Sequence, residues 1–485
     1  MMLLVFNRLT KKELFYFEYF IKSPYFNTND KIKKLFYYLK KGFPVLDKEY
    51  ISNANISLHV YSEITVNDVK VRKLISQFYK LIKKFLLYES LGKNVTANEI
   101  IIIKNLEGTE FENELPAMFS GLQDRFRKSK LKNKQYYDDR IDFEREYYLN
   151  KVKTDLNVDK NLIRSCYRNV NYKYYYQKLE CYYDSLTLNT ELNVDPDADI
   201  DIDLILDIIR LRKSFFKKYH PEIYFKYLGV MLKLTMDEQY EQELLKCFKK
   251  NIMKYDEDFS FTYYSFLENF YYKKTNERGD YYKRKLIGIF DDIYIKGLYV
   301  KSNSRRTPRM LGRNYFRVVQ MAYSLKDYEW AEKFIEKSKS ALYPVKAKDI
   351  YKLSLARLHF EKKDYDKSLL YLNKVVYKDN YCHIISKFLL TRIYFEQENY
   401  KVIEHEIKNV KNFLYRKKDN LSPFERAHLT KFIYYIPRLL KVFKSDSDDK
   451  HYLAYSLRKK LDSDKDHIAF KNWYYEKLIQ FAGDS

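Results

Sequence analysis

Only ten glycines and nine prolines interrupt 485 residues. A sheet with tight turns needs many positions at positive φ, which glycine supplies, so this scarcity favours long helices joined by short connections. Periodicity agrees. Thr10 with Glu13 reads as a capping box, and Leu14, Phe17, Phe20 and Ile21 make one stripe of a helix over residues 10–22. Pro24 disfavours helical geometry at Ser23 and ends it. Asn29 or Asp30 then caps a helix bearing Ile32, Leu35, Phe36 and Leu39, and Asn67 caps a longer one with Val71, Leu74, Ile75, Phe78, Leu81, Ile82 and Phe85 on one face. Residues 92–108 read as a looser join.

The stretch NYKYYYQKLECYYDS, residues 171–185, is crowded with tyrosine. It reads either as a platform for stacking bases or as a packed helix face. Tyr172, Tyr176, Leu179, Tyr183 and Leu186 step by four, three, four and three, which is helical spacing and favours packing. Tyr174, Lys173, Lys178 and Asp184 fall off that stripe.

The C-terminal half repeats itself. LARLHFEKKDYDKSLLYLNKV (355–375) aligns with LTRIYFEQENYKVIEHEIKNV (390–410) at a shift of 35, and VQMAYSLKDYEWAEKFIEKSK (319–339) precedes the first by 36 or 37. Each unit has an apolar helix, a D-Y or N-Y turn, and a second helix with a small or apolar residue three after the Tyr: Ala331, Ser368 and Ile403. Period and residues resemble tetratricopeptide (TPR) repeats, two antiparallel helices per unit. Ser368, Ile403 and the missing first-helix glycine depart from that pattern. More widely, FYFEYFIKSPYFNTNDKIKKLFYYLKK near the start and NWYYEKLIQF near the end resemble a group of uncharacterised bacterial proteins of about this length. The resemblance implies an all-α fold, a TPR-like helical-hairpin solenoid with an N-terminal helical segment, and implies no activity. The expected organisation is an N-terminal segment over 1–92, a hairpin array without legible period over 93–300, and TPR-like repeats with capping helices over 301–485. Trp473, Leu478 and Phe481 are placed to cover the last apolar face.

Known chemistry is hard to find. Gly279 and Gly288 are too far apart for a phosphate-cradling loop, and the eight histidines form no close pair suited to zinc. No G-x-S-x-G elbow occurs. DPDADIDIDLILD (195–207) spaces Asp197, Asp199, Asp201 and Asp203 like a calcium loop, but Ile202 and Ile208 stand where a glycine and a glutamate belong. The alternative is an acidic lead into a helix N-terminus. No cofactor, metal or catalytic residue is expected. Cys166, Cys181, Cys247 and Cys382 form no CxxC, as expected of free, mostly buried thiols in a reducing compartment. The five-residue apolar start is too short for a signal peptide and no stretch is long enough to span a membrane, so the expected location is cytoplasmic.

What remains is charge. There are 90 Lys+Arg against 66 Asp+Glu, a formal net charge of +24. Such a field favours anionic partners, while AT-rich coding bias would produce the same composition without function. Three basic features are local. Lys70, Lys73, Lys80 and Lys84 make a stripe opposite the apolar face of the third helix. RFRKSKLKNK (125–134) has six cations and no acid. KSNSRRTPRMLGRNYFR (301–317) has six more, among them Arg305, Arg306, Arg309, Arg313 and Arg317, in a connection leading into the first repeat. A solvated face is the favoured explanation of the first two, and explains the third about as readily as a site does. The favoured function is a non-enzymatic scaffold or adaptor that binds an acidic protein or peptide. Nucleic-acid binding through the same cations is the alternative.

Overall fold

The computed structural model describes residues 2–43, 46, 49–63, 68–154, 160–192, 200–251, 255, 257–275, 279–296, 298, 312–342, 347–376, 380–417, 420–464, 468, 470–479 and 481. Among the described residues every regular element is a helix, so the all-α expectation holds. The chain divides into two compact units, Met1–Ser185 with Asp195–Lys226, and Leu186–Val194 with Tyr227–Ser485.

The first unit begins with α1 (Met2–Phe6), α2 (Lys11–Lys22), α3 (Asp30–Gly42), α4 (Asn53–Ile56) and α5 (Asp68–Leu91). The Thr10–Glu13 capping box starts α2, and Asn29 caps α3 by accepting from the Lys31 backbone N–H. The proposed cap Asn67 lies outside the described residues. Phe17 is fully buried at the centre, its ring 5.7 Å from Phe36, 5.7 Å from Phe78 and 5.1 Å from Phe85. Three helices therefore share one aromatic core.

Residues 92–108 are not a loose join. Asn94 caps α6 (Val95–Leu106) by accepting from the Ala97 N–H, and Ile100 and Ile103 are buried. The apolar run in that stretch packs with α7 (Leu115–Lys128) and α8 (Lys134–Thr154) around Phe119, Leu122, Phe126 and Phe143. On α8 the carboxylate of Glu144 is fully buried. It accepts from Arg140 Nε at 2.7 Å, Ser165 Oγ at 2.7 Å and Asn169 Nδ2 at 3.0 Å, which satisfies a charge that burial would otherwise penalise.

The tyrosine-rich stretch lies within α9 (Lys160–Leu192). Tyr176, Leu179 and Tyr183 are buried, Tyr172 and Leu186 are half-buried, and Tyr174 is exposed, as a packed helix face requires. Tyr172 lies 3.9 Å from the His220 ring. Then come α10 (Ile200–Leu211), α11 (Lys213–Tyr219) and α12 (Pro221–Thr235). Asp201 and Asp203 sit in the first turn of α10, where carboxylates favour the helix dipole, and the Tyr174 hydroxyl donates to Asp201 at 2.9 Å. In α12 every residue from Glu222 to Val230 is buried, so no single apolar stripe is visible in its sequence.

The second unit continues with α13 (Glu238–Asn251), α14 (Glu257–Lys274), α15 (Gly279–Lys296), α16 (Gly312–Ser324), α17 (Tyr328–Lys337), α18 (Ala347–Glu361), α19 (Tyr365–Leu372), α20 (Asn380–Glu396), α21 (Tyr400–Lys417), α22 (Pro423–Lys444), α23 (Ser447–Ser463) and α24 (Lys471–Ile479). From α16 to α22 each helix packs on the next, and the first helices α16, α18, α20 and α22 also pack on one another.

The hairpin turns are copies. Lys326, Lys363 and Glu398 adopt φ of 59°, 61° and 56°. The following residue in each case donates its N–H back into the first helix: Asp327 to Ala322 O at 2.9 Å, Asp364 to His359 O at 2.8 Å, Asn399 to Tyr394 O at 2.8 Å. That is the Schellman pattern, with a charged residue where glycine is usual. Asp327 and Asp364 then cap the second helix by accepting from the N–H groups of Trp330 and Lys367. The D-Y signal is thus a helix stop and a helix start fused. Ala331, Ser368 and Ile403 are all fully buried, and Ser368 donates to Ala356 O at 2.6 Å, so its hydroxyl is satisfied inside the hairpin. At the end of the unit Trp473 and Leu478 are buried with α20–α23 residues such as Phe395, Leu439 and Leu461, and Phe481 packs against Phe443 at 5.1 Å.

Candidate functional site

In α5 the sequence leaves a choice of what to expose. Its buried residues are Val71, Leu74, Phe78, Leu81, Ile82 and Phe85, and Lys70, Lys73, Lys80 and Lys84 are all exposed. At 3.6 residues per turn the lysine stripe runs beside the buried one rather than opposite it. Lys70 reaches Glu63 only at 3.9 Å, Gln77 accepts from Asn29 Nδ2 at 3.2 Å, and the Lys84 ammonium lies 5.3 Å from the Phe26 ring.

The stripe leads into a groove. Tyr88 stands four residues beyond Lys84 on the same helix and is exposed. With Tyr16, Tyr19, Phe20, Ser23, Phe26, Phe85 and Glu89 it lines a cavity of about 340 Å³. The groove exists because α2 carries more aromatic residues than its buried face can take. Phe17 and Phe20 go inward, leaving Phe15, Tyr16 and Tyr19 exposed on the flank. Phe20 and Phe26 stack at 3.9 Å, and Tyr88 meets Phe26 edge-on at 5.0 Å, so the floor is rigid and apolar. The nearby carboxylate of Glu18 is neutralised: hydrogen bonds from Lys22 and Lys40 hold its pKa down at about 2. Neither helix alone announces this groove. The signal in the sequence was the surplus of aromatics off the α2 stripe.

The other basic features fare differently. Arg305, Arg306 and Arg309 lie outside the described residues. Arg313 lies in α16, with its side chain outside what is described. Arg317, also on α16, is half-buried with its guanidinium 4.5 Å from the Tyr272 ring of α14. Beside it burial pushes the Glu268 carboxyl up to about 7, and Arg317 pulls it back. In RFRKSKLKNK the cations disperse. Arg125 pairs with Glu99 at 2.7 Å, Arg127 with Asp124 at 3.3 Å, and Lys132 donates to Tyr219 O at 2.8 Å, while Lys128, Lys130 and Lys134 are exposed.

Among the described residues no group of three His, Cys, Asp or Glu could hold a metal ion. Of the cysteines only Cys382 is buried, while Cys181 is exposed and Cys166 and Cys247 are half-buried, so the thiols are less buried than the sequence suggests. The most perturbed histidine, His220, has its pKa pushed down to about 3 by burial and by Lys132 and Arg212, with its Nδ1 2.7 Å from the Tyr137 hydroxyl. It lies buried among rings rather than in a cleft, which suits packing better than proton transfer. No described helix is long and apolar enough to cross a membrane. No protein-family model, curated protein or solved structure matches the chain.

Proposed function

We propose that the chain is a non-enzymatic adaptor, built as a TPR-like helical-hairpin solenoid with an N-terminal helical segment, and that the α2–α5 groove docks an acidic peptide segment. One observation carries the reading: exposed Lys73, Lys80 and Lys84 run into a groove walled by six aromatic rings. An acidic peptide with one or two large apolar side chains matches both parts. Its carboxylates meet the lysines, which speed and orient encounter, and its apolar side chain fills the groove, which holds it. Nucleic acid would have fewer ring faces to use, because Phe20 and Phe26 cover each other and Phe85 is buried, which leaves Tyr16, Tyr19 and Tyr88 for stacking. The three repeated turns support the solenoid part of the reading. The arginine run at 301–317 would add to the preference for anions. A cytoplasmic location, as expected from the sequence, belongs to the same reading.

The test compares a labelled acidic peptide carrying Phe and Leu with labelled oligothymidylate, by fluorescence anisotropy on the full chain. Lys80→Glu with Lys84→Glu, and separately Tyr88→Ala, are expected to weaken the peptide by about tenfold each, the scale of losing one good contact. Tighter binding of oligothymidylate, with a steep linear log–log salt slope, would turn the reading to nucleic acid. Peptide binding untouched by either change would remove the groove from consideration.

A further inference from the structure

The repeat supplies its own control experiment. Arg357 of α18 and Arg392 of α20 hold the same place in successive hairpins, and each is followed four residues later by a glutamate, Glu361 and Glu396. In the earlier hairpin the pair closes, with Arg357 Nε donating to Glu361 Oε1 at 2.8 Å. In the later one it does not. Glu396 accepts instead from Trp473 Nε1 at 2.9 Å and Lys477 Nζ at 2.5 Å, both on α24. Arg392 is left only 7% exposed, and its Nε and Nη1 meet no acceptor.

Its guanidinium lies among rings, 4.3 Å from Phe360, 4.6 Å from Phe470 and 5.5 Å from Trp473. Ring faces attract a cation but do not replace in-line acceptors for its N–H groups. Burial, and the like charge of Arg357, pull its pKa down against the carboxylates of Glu361, Glu396 and Glu476, and a guanidinium stays ionised at neutral pH. A buried ion with two idle donors is an arrangement that folded chains avoid unless something else meets it. Of the three rings Phe360 and Trp473 are buried, whereas Phe470 is half-buried and held at a φ of 61°, so Phe470 is the ring whose displacement would uncover Arg392 at least cost in packing.

We propose that Arg392 is the receiving group of a carboxylate-binding site on α20, where a carboxylate from a docked peptide supplies the acceptor oxygens that Glu396 gives to α24. Glu361, Glu396 and Glu476 all act on Arg392 through space, but none of them accepts from its Nε or Nη1, so what the site lacks is a pair of acceptor oxygens. A carboxylate supplies that pair with less added negative charge than a phosphate would bring beside those glutamates. The aromatic walls favour a planar group on an apolar stem. The peptide nature of the ligand rests on the adaptor reading, but the site is independent of the α2–α5 groove.

The site is tested by tryptophan fluorescence on the full chain carrying Trp330→Phe, so that Trp473 reports alone. Three capped glycine-rich peptides are titrated at constant ionic strength: one with a single Glu and a C-terminal amide, one with Gln in its place, and one with only a free C-terminal carboxylate. A saturable response to the Glu peptide, to the free terminus or to both is expected, with none to Gln. The responding probe shows whether a side chain or a chain end is the source. Arg392→Met should weaken the response by at least about tenfold, the factor for one lost charge-assisted hydrogen bond. Phe470→Ala should strengthen it or speed it, and Lys80→Glu with Lys84→Glu should leave it unchanged, which separates this site from the groove. Arg392→Met should melt no lower than its parent, since it removes two buried donors that meet no acceptor. An equal response to Gln, an undiminished response in Arg392→Met, no saturable response even in Phe470→Ala, or a lower melting temperature for Arg392→Met would each overturn the site.

Discussion

Among the described residues Gly121, Gly229 and Gly288 lie in helix interiors, and their surroundings predict opposite signs for the same substitution. Alanine in a helix interior gains about 1 kcal/mol over glycine by limiting the unfolded chain. At Gly121 in α7 and Gly288 in α15 an added Cβ meets nothing within 4 Å. Gly121→Ala and Gly288→Ala should therefore stabilise by about 0.5–1 kcal/mol each. At Gly229 in α12 the added Cβ would fall 2.2 Å from Phe266 Cε2 and 2.5 Å from its Cδ2 and Cζ. Those distances are far inside van der Waals contact, and Phe266 is itself buried at 3% exposure, so its ring has little room to turn. Overpacking of this kind costs about 1–3 kcal/mol, which exceeds the helix gain. The net expectation for Gly229→Ala is a loss of about 1 kcal/mol. Urea unfolding reads this as a lower midpoint at constant slope. Phe266→Leu in the same chain should recover part of the loss, giving a coupling of about 0.5 kcal/mol or more for two residues in contact. A Gly229→Ala chain stabilised like the other two would refute the packing at this crossing.

Tyr176→Ala and Tyr183→Ala should each cost about 3 kcal/mol, as for other buried aromatics, and exposed Tyr174→Ala much less; three equal small losses by urea midpoint would contradict the packed face. His220 binds a proton less well folded than unfolded, so its contribution is present above the usual 6.5 and is lost as pH falls from there towards 3. Stability in that window should fall by up to about 1.4 kcal/mol per pH unit, a slope His220→Gln should reduce and an unchanged slope would deny. A chain ending at Asp464 lacks α24, and with it buried Trp473, Tyr474 and Leu478; it should melt lower and aggregate more, and equal stability would make α24 a dispensable tail. Lys363→Gly should raise stability by about 1 kcal/mol, because its φ of 61° suits glycine; a fall would mean the lysine itself holds the turn.

Where one helix face is buried, the sequence was readable: the α2 and α5 stripes, the tyrosines of α9 and the hairpins after residue 312 all follow a period of 3.6. Between residues 100 and 300 it was not, because helices such as α12 and α14 bury more than one face and their apolar residues run together. The join at 92–108 was misjudged because Asn94 caps a helix whose apolar run shows no clear stripe. The lysines were legible as a stripe, but the groove needed α2 and α5 side by side. The matched arginines at 357 and 392 stand in aligned positions, yet nothing in the alignment tells that Trp473 and Lys477, some eighty residues later, would take the second glutamate.

The copied turn has a consequence for how the second unit comes together. Each hairpin carries its own stop, those at Asp327 and Asp364 carry their own restart, and in the middle one Ser368 bonds to Ala356 across the bend. Closing so short a loop costs little chain entropy, and the hydrogen bonds that reward it form at once. Each of the three bends is therefore a place where two helices can pair before distant contacts form. A polypeptide emerging from the ribosome has such a unit complete as soon as its second helix is out. Pairing within a hairpin can keep pace with synthesis instead of waiting for distant parts of the chain.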